Sequence, residues 1–136
     1  MKQVKVGTVN YLNAKPLLAA IAANPVMEQI DLYDEYPAKV AQMLADGAID
    51  VGLVPVATLS FIPNTHIIGN YGIAADGNVA SVCIYSHRPI DQIDTIYLDY
   101  QSKTSVRLAQ ILLKHHFKQS VQLLPAPEDY ISLIKD

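Results

Sequence analysis

Asn10, Tyr11 and Asn13 form one group whose types and spacing could do chemistry, within Val9-Asn10-Tyr11-Leu12-Asn13-Ala14-Lys15-Pro16-Leu17. An asparagine offers a donor and an acceptor without charge, so two of them suit a small polar ligand. A second group, Asp99-Tyr100-Gln101-Ser102-Lys103-Thr104-Ser105, supplies a carboxylate and several hydroxyls. Ser102 or Thr104 can cap a following helix, leaving the N–H groups of its first turn to favour an anion such as a carboxylate or phosphate. A capped helix with no guest would explain the same residues. Ser81 is a third hydroxyl of interest, in an apolar run after the turn Asp76-Gly77-Asn78. Its surroundings lack the pattern of a nucleophile elbow, and a serine in a strand is often only a small residue.

Both polar groups need a strand before them and a helix behind them, and the chain supplies each. Residues 3–9 read as a buried strand and 14–24 as a helix, which Asn24-Pro25 ends because a residue before proline avoids helical geometry. Residues 30–33 read as a short strand, with Asp34 and Glu35 in a loop. Pro37 opens a second helix, where a missing N–H costs nothing. Val40, Ala41, Leu44 and Ala45 share one face of it, and Gly47 caps its end. Residues 50–54 predict a third strand, with Pro55 and a helical turn through Leu59 after it. Residues 67–75 predict a fourth extended segment, and 79–85 a β-prone run. A strand at 96–98, a helix over 104–117, a strand at 121–124 and a helix starting at 130–134 complete the pattern. Tyr33, Tyr36 and Tyr71 read as packing residues with exposed hydroxyls.

The βαβαβ alternation predicts a parallel sheet with crossover helices. In such open α/β sheets, ligands bind outside the carboxyl ends of the strands, where both polar groups fall. The pattern resumes over 95–124 after two extended segments without a helix between them. This predicts a crossing from one lobe to another near residues 79–88.

The 136-residue chain is long enough for a domain with a real core. Half of it is hydrophobic (51%), which fits a sheet buried on both faces. The formal net charge of −3 and the scattered basic residues argue against nucleic acid, which needs clustered Lys and Arg. Lys114-His115-His116-Phe117-Lys118 falls at the end of the predicted helix, where cations suit the dipole. No apolar run approaches the ~20 residues of a membrane span, and the N-terminus lacks a signal-peptide pattern. A single cysteine, Cys83, excludes an internal disulfide. A cytoplasmic protein is therefore expected. The histidines lack zinc spacing and no glycine-rich phosphate loop is present, so neither a metal nor a cofactor is expected.

The motifs together resemble a known family. Val9 to Leu17 is similar to the opening signature of the futalosine-pathway menaquinone enzymes. Asp50-Val51-Gly52-Leu53-Val54-Pro55-Val56-Ala57, Ala80-Ser81-Val82 and Leu98 to Ser105 follow in the right order. The resemblance covers essentially the whole chain. It implies a type II periplasmic-binding-protein-like α/β fold of two lobes with substrate held in the cleft. Two complete lobes need about twice this length. The resemblance therefore implies a first α/β lobe over 1–84 and the start of a second, incomplete here, over 85–136. A half-lobe exposes a hydrophobic edge, so a homodimer or strand exchange is expected.

The members it resembles most are lyases that remove water from chorismate, giving 3-[(1-carboxyvinyl)oxy]benzoate. The resemblance implies hydrogen bonds from Ser81 and Asn13 to the reacting region, with Asn10 and Tyr11 shaping the pocket. Ser102, Thr104 and Ser105 would receive a substrate carboxylate, and Asp99 would orient their loop. A carboxylate of the substrate itself could take the proton, which agrees with the lack of an obvious strong base. The small-molecule partner implied is chorismate, with no cofactor, nucleic acid or membrane. Two readings compete: a non-catalytic carboxylate-binding protein of the same fold, and the later naphthoate-forming enzyme of the pathway.

Overall fold

Val4–Val9 forms strand β1, the middle of a three-stranded parallel sheet in the computed structural model, which describes residues 2–130. β2 (Ile30–Glu35) lies on one side of it, in register from Val4 with Ile30 to Val9 with Glu35. β3 (Val51–Gly52) lies on the other, with Gly7 opposite Gly52. Helix α1 (Lys15–Ala22) carries proline in its first turn, and α2 (Pro37–Ala45) begins on one. Proline fits there because those N–H groups have no helical acceptor. After α2, Gly47 takes φ +67°, the left-handed conformation in which glycine ends helices without a Cβ clash.

The two glycines opposite one another set how closely α2 packs on the sheet. A Cβ on Gly7 would stand 2.5 Å from Ile49 Cδ1 and 2.8 Å from Val40 Cγ1. A Cβ on Gly52 would stand 3.2 Å from the same two atoms. Val40 and Ile49 therefore fill the space that side chains at 7 and 52 would need. With Val9 and Ala14 they form the buried core of this part, joined by the half-buried Tyr11, Tyr33 and Leu53.

The chain divides into two compact units, Met1–Ala75 and Asp76–Asp136. The second holds β4 (Thr95–Leu98) parallel to β5 (Gln122–Pro125), joined through α3 (Lys103–Leu112). α3 runs on as a wider π turn over Leu113–Phe117. Lys118, at φ 54°, then turns the chain, and Gln119 N–H bonds the Leu113 carbonyl at 2.9 Å. The architecture is thus mixed α/β with small parallel sheets.

Several sequence expectations change. The third strand shortens from 50–54 to two residues, although Asp50 N–H to Lys5 O and Leu53 N–H to Gly7 O, both 2.9 Å, continue the pairing on either side. Asp34 and Glu35 end β2 instead of occupying a loop, because β1 offers partners out to Val9. Residues 67–75 and 79–85 form no ladder among the described residues. Strand propensity describes a fit to a half-buried pleated surface, and no such neighbour receives them. Tyr71, expected to pack, is 92% exposed for the same reason. The helix expected from 130 lies almost wholly outside the described residues. No helix among the described residues is long and apolar enough to cross a membrane.

Candidate functional site

In the first unit, β1 delivers the chain to Asn10, whose backbone N–H bonds Glu35 O at 3.1 Å. A short 3-10 turn, Leu12–Ala14, follows with Tyr11 at its entrance. Its closing bond runs from Ala14 N–H to Tyr11 O at 3.0 Å, and Ala14 is fully buried. This pins the turn while Asn10 and Asn13 remain exposed. Tyr11 instead packs against the core. The loop therefore presents two amide side chains at the carboxyl end of a central strand.

In the second unit, β4 ends at Leu98 and a tighter device follows. Asp99 Oδ1 accepts the Gln101 N–H at 2.9 Å, folding the loop back on itself. Ser102 is the N-cap of α3: its Oγ accepts the Ser105 N–H at 3.2 Å and donates to Ser105 Oγ at 2.8 Å. Of the two caps the sequence left open, the structure selects Ser102, whose extended backbone (φ −116°, ψ 101°) aims its hydroxyl at the first turn. Thr104 is exposed on the first turn. The helix presents its positive end here, uncompensated by acidic residues in that turn.

A cavity of about 600 Å³ opens beside this turn, wholly within the second unit. Ser81, Asp99 and Ser105 all line it, so three of the residues singled out by type share one space. Ser102 adjoins it through its bonds to Ser105, whereas Thr104 is not on the wall. Much of the remaining wall is apolar, including Ile96, Leu98, Val106 and Ala109. Such a space takes a molecule with an apolar body and a few polar groups.

Compared with known protein families, residues 4–136 match the family described as menaquinone biosynthesis. The chain belongs to that family. A role in menaquinone biosynthesis follows, and with it that of an enzyme. The match spans both polar loops, the β1–α1 turn and the capped turn before α3.

Three cavity residues of this family member escape sequence reasoning. Tyr85 and His87 follow Ser81 on the same stretch, and Tyr130 comes after the Pro125-Ala126-Pro127 loop. Burial, then the Asp99 carboxylate, then the Tyr100 and Tyr85 phenols hold the Tyr130 hydroxyl above the usual phenol range. Its neighbours are far apart in sequence, so no local spacing could have revealed it. Tyr130 stays protonated at neutral pH and can donate a hydrogen bond into the cavity. Among the described residues, no group of three or more His, Cys, Asp and Glu side chains could hold a metal ion.

Proposed function

We propose that the protein dehydrates chorismate to 3-[(1-carboxyvinyl)oxy]benzoate, on a two-lobed fold of the periplasmic-binding-protein type. The observation that carries this reading is the sharing of one cavity by Ser81, Asp99 and Ser105 at the capped start of α3. In the reaction the ring C–O bond breaks and the hydroxyl leaves as water. The hydrogen on the ring carbon bearing the enolpyruvyl ether is lost as a proton. The ring becomes aromatic, so most of the driving force lies in the substrate. The protein has chiefly to hold the diene and stabilise the charge that moves.

The residues suit that demand. Ser102 and Ser105, with the α3 N-terminus, receive a ring or side-chain carboxylate, and Thr104 adds a hydroxyl on the same turn. Asp99 fixes the turn through Gln101. Ser81 hydrogen-bonds the reacting region from the cavity wall, while Asn13, with Asn10 and Tyr11 beside it, offers its amide from the β1–α1 turn of the first unit. The substrate's own carboxylate accepts the proton, so no basic side chain is required. The apolar wall of Ile96, Leu98 and Val106 suits the ring.

Incubation with chorismate, followed by the rise of benzoate absorbance, tests the reading. Turnover is expected, and Ser81→Ala or Asn13→Ala should each lower kcat by about 10²-fold, the loss typical of one transition-state hydrogen-bond donor. Unchanged turnover in both variants would remove these residues from the chemistry. Absence of the benzoate from the unaltered protein would remove the reaction itself.

A further inference from the structure

β4 and β5 run parallel, so their carboxyl ends share one margin of the second unit, where ligands of open α/β sheets bind. Leu98 is in register with Pro125, and the Ala126 N–H carries the pairing one step further by bonding Leu98 O at 2.9 Å. Both chains then turn. Asp99 opens the capped turn, and the Tyr130 N–H closes another by bonding Pro127 O at 3.2 Å. Residues 31 positions apart thus bring their side chains to the wall of one cavity.

Each of the two keeps a hydrogen-bonding capacity that the protein leaves unused. Asp99 Oδ1 accepts the Gln101 N–H, while its second oxygen has no partner among the described residues. The Tyr130 hydroxyl bonds no described residue either. Burial and the Asp99 charge keep that phenol protonated at neutral pH, so it remains a donor. An oxygen that only accepts therefore shares the cavity with a phenol ready to donate. A carboxylate could accept from Tyr130, but it would bring a like charge to Asp99. An ether oxygen only accepts and an ammonium only donates. A hydroxyl does both. The capped turn makes the complementary choice, since it offers donors and the positive end of a helix without acidic residues in its first turn.

We propose that Tyr130 and Asp99 form a subsite for an alcohol of the ligand, the phenol donating to the hydroxyl oxygen and the second carboxylate oxygen accepting the hydroxyl proton. The class of ligand is a hydroxy acid with an apolar ring, its carboxylate at Ser102 and Ser105 and its alcohol here. The identity of that alcohol rests on the reaction proposed above, in which it is the ring hydroxyl that departs. Water also donates and accepts, so the same pair holds the oxygen once the C–O bond has broken. Neither residue gains or loses a proton. The benzoate product carries no alcohol and leaves both groups unmatched, so the pair separates substrate from product.

Tyr130→Phe removes one oxygen that bonds nothing in the protein, and its urea midpoint should match that of the unaltered chain. Chorismate, with the alcohol, and 3-[(1-carboxyvinyl)oxy]benzoate, without it, are the two probes. In Y130F, kcat/KM for chorismate should fall about five- to tenfold, the loss of one neutral hydrogen bond, while the inhibition constant of the benzoate moves by less than about twofold. Equal weakening of both would place a carboxylate at Tyr130 and overturn the subsite. Undiminished use of chorismate would overturn it as well. If the unaltered protein binds chorismate without turning it over, the reaction fails and the dissociation constants of the same two probes test the subsite alone.

Discussion

At the scale of single residues, Ser102 joins stability to function. Its hydroxyl satisfies the Ser105 N–H and bonds the Ser105 hydroxyl, so one oxygen caps α3 and sets the donor that faces the cavity. Ser102→Ala should cost about 0.5–2 kcal/mol, the usual worth of an N-cap, seen as a lower urea midpoint for the second unit. Ser102→Asp should restore the cap, since a carboxylate there accepts the same N–H and suits the dipole. It should nevertheless lose binding of an acidic ligand, because like charges would meet. Recovery of both stability and acid binding in S102D would contradict an anion-receiving role for this turn.

Tyr130 supplies a second residue-scale outcome. Burial is the first reason its hydroxyl titrates high, and the Asp99 carboxylate is the second. Asp99→Asn should therefore move the phenol part of the way back toward its ordinary value of about 10, and near-ultraviolet titration reads that movement directly. The sign for stability follows. With its folded-state value raised, the phenol contributes stability below the unfolded value, and the contribution disappears as pH climbs through the folded one. The alkaline loss of stability should be smaller in the Asp99→Asn protein.

At the scale of elements, the close approach of α2 to the sheet makes Gly7 the most sensitive position of the first unit. Gly7→Ala would press a methyl against Ile49 and Val40, with overpacking of about 1–3 kcal/mol. Ile49→Val removes the Cδ1 atom nearest to it. The double variant should thus recover part of the loss, and a double-mutant cycle from urea unfolding measures the coupling. Strict additivity would show that the contact is relieved by other movement. Elements with local signals were legible beforehand: Pro37 and Gly47 bound α2, and the apolar run at 3–9 marks the central strand. The elements that failed, 67–75 and 79–85, depend on a partner strand that local spacing cannot specify. The same divide holds in the site. Ser81, Asp99 and Ser105 could be picked out by type and by their place beside strands, but Tyr85, His87 and Tyr130 reach the cavity only through tertiary placement.

At the scale of the whole molecule, the two units have unequal cores. The first buries Val9, Ala14, Ala38, Val40, Ala41, Ile49 and Ile62. Among the described residues of the second, Leu113 is the one buried hydrophobic side chain, and the sheet has only two strands. Two strands are marginal alone, so stability in the second unit depends on α3 and on whatever fills the cavity. Its amides in β4 and β5 should therefore exchange faster than those in β1 and β2, and urea should unfold it at the lower concentration. A ligand seated between α3 and β4 binds only the folded second unit and should shift that first transition alone. At 100 times its dissociation constant the shift corresponds to about 2.7 kcal/mol. Chorismate, or the benzoate product, is the probe, and residue-resolved exchange is the measurement. A ligand that instead protected β1 and β2 while leaving β4 and β5 unchanged would move the binding site to the Asn10–Asn13 loop and take it out of the cavity.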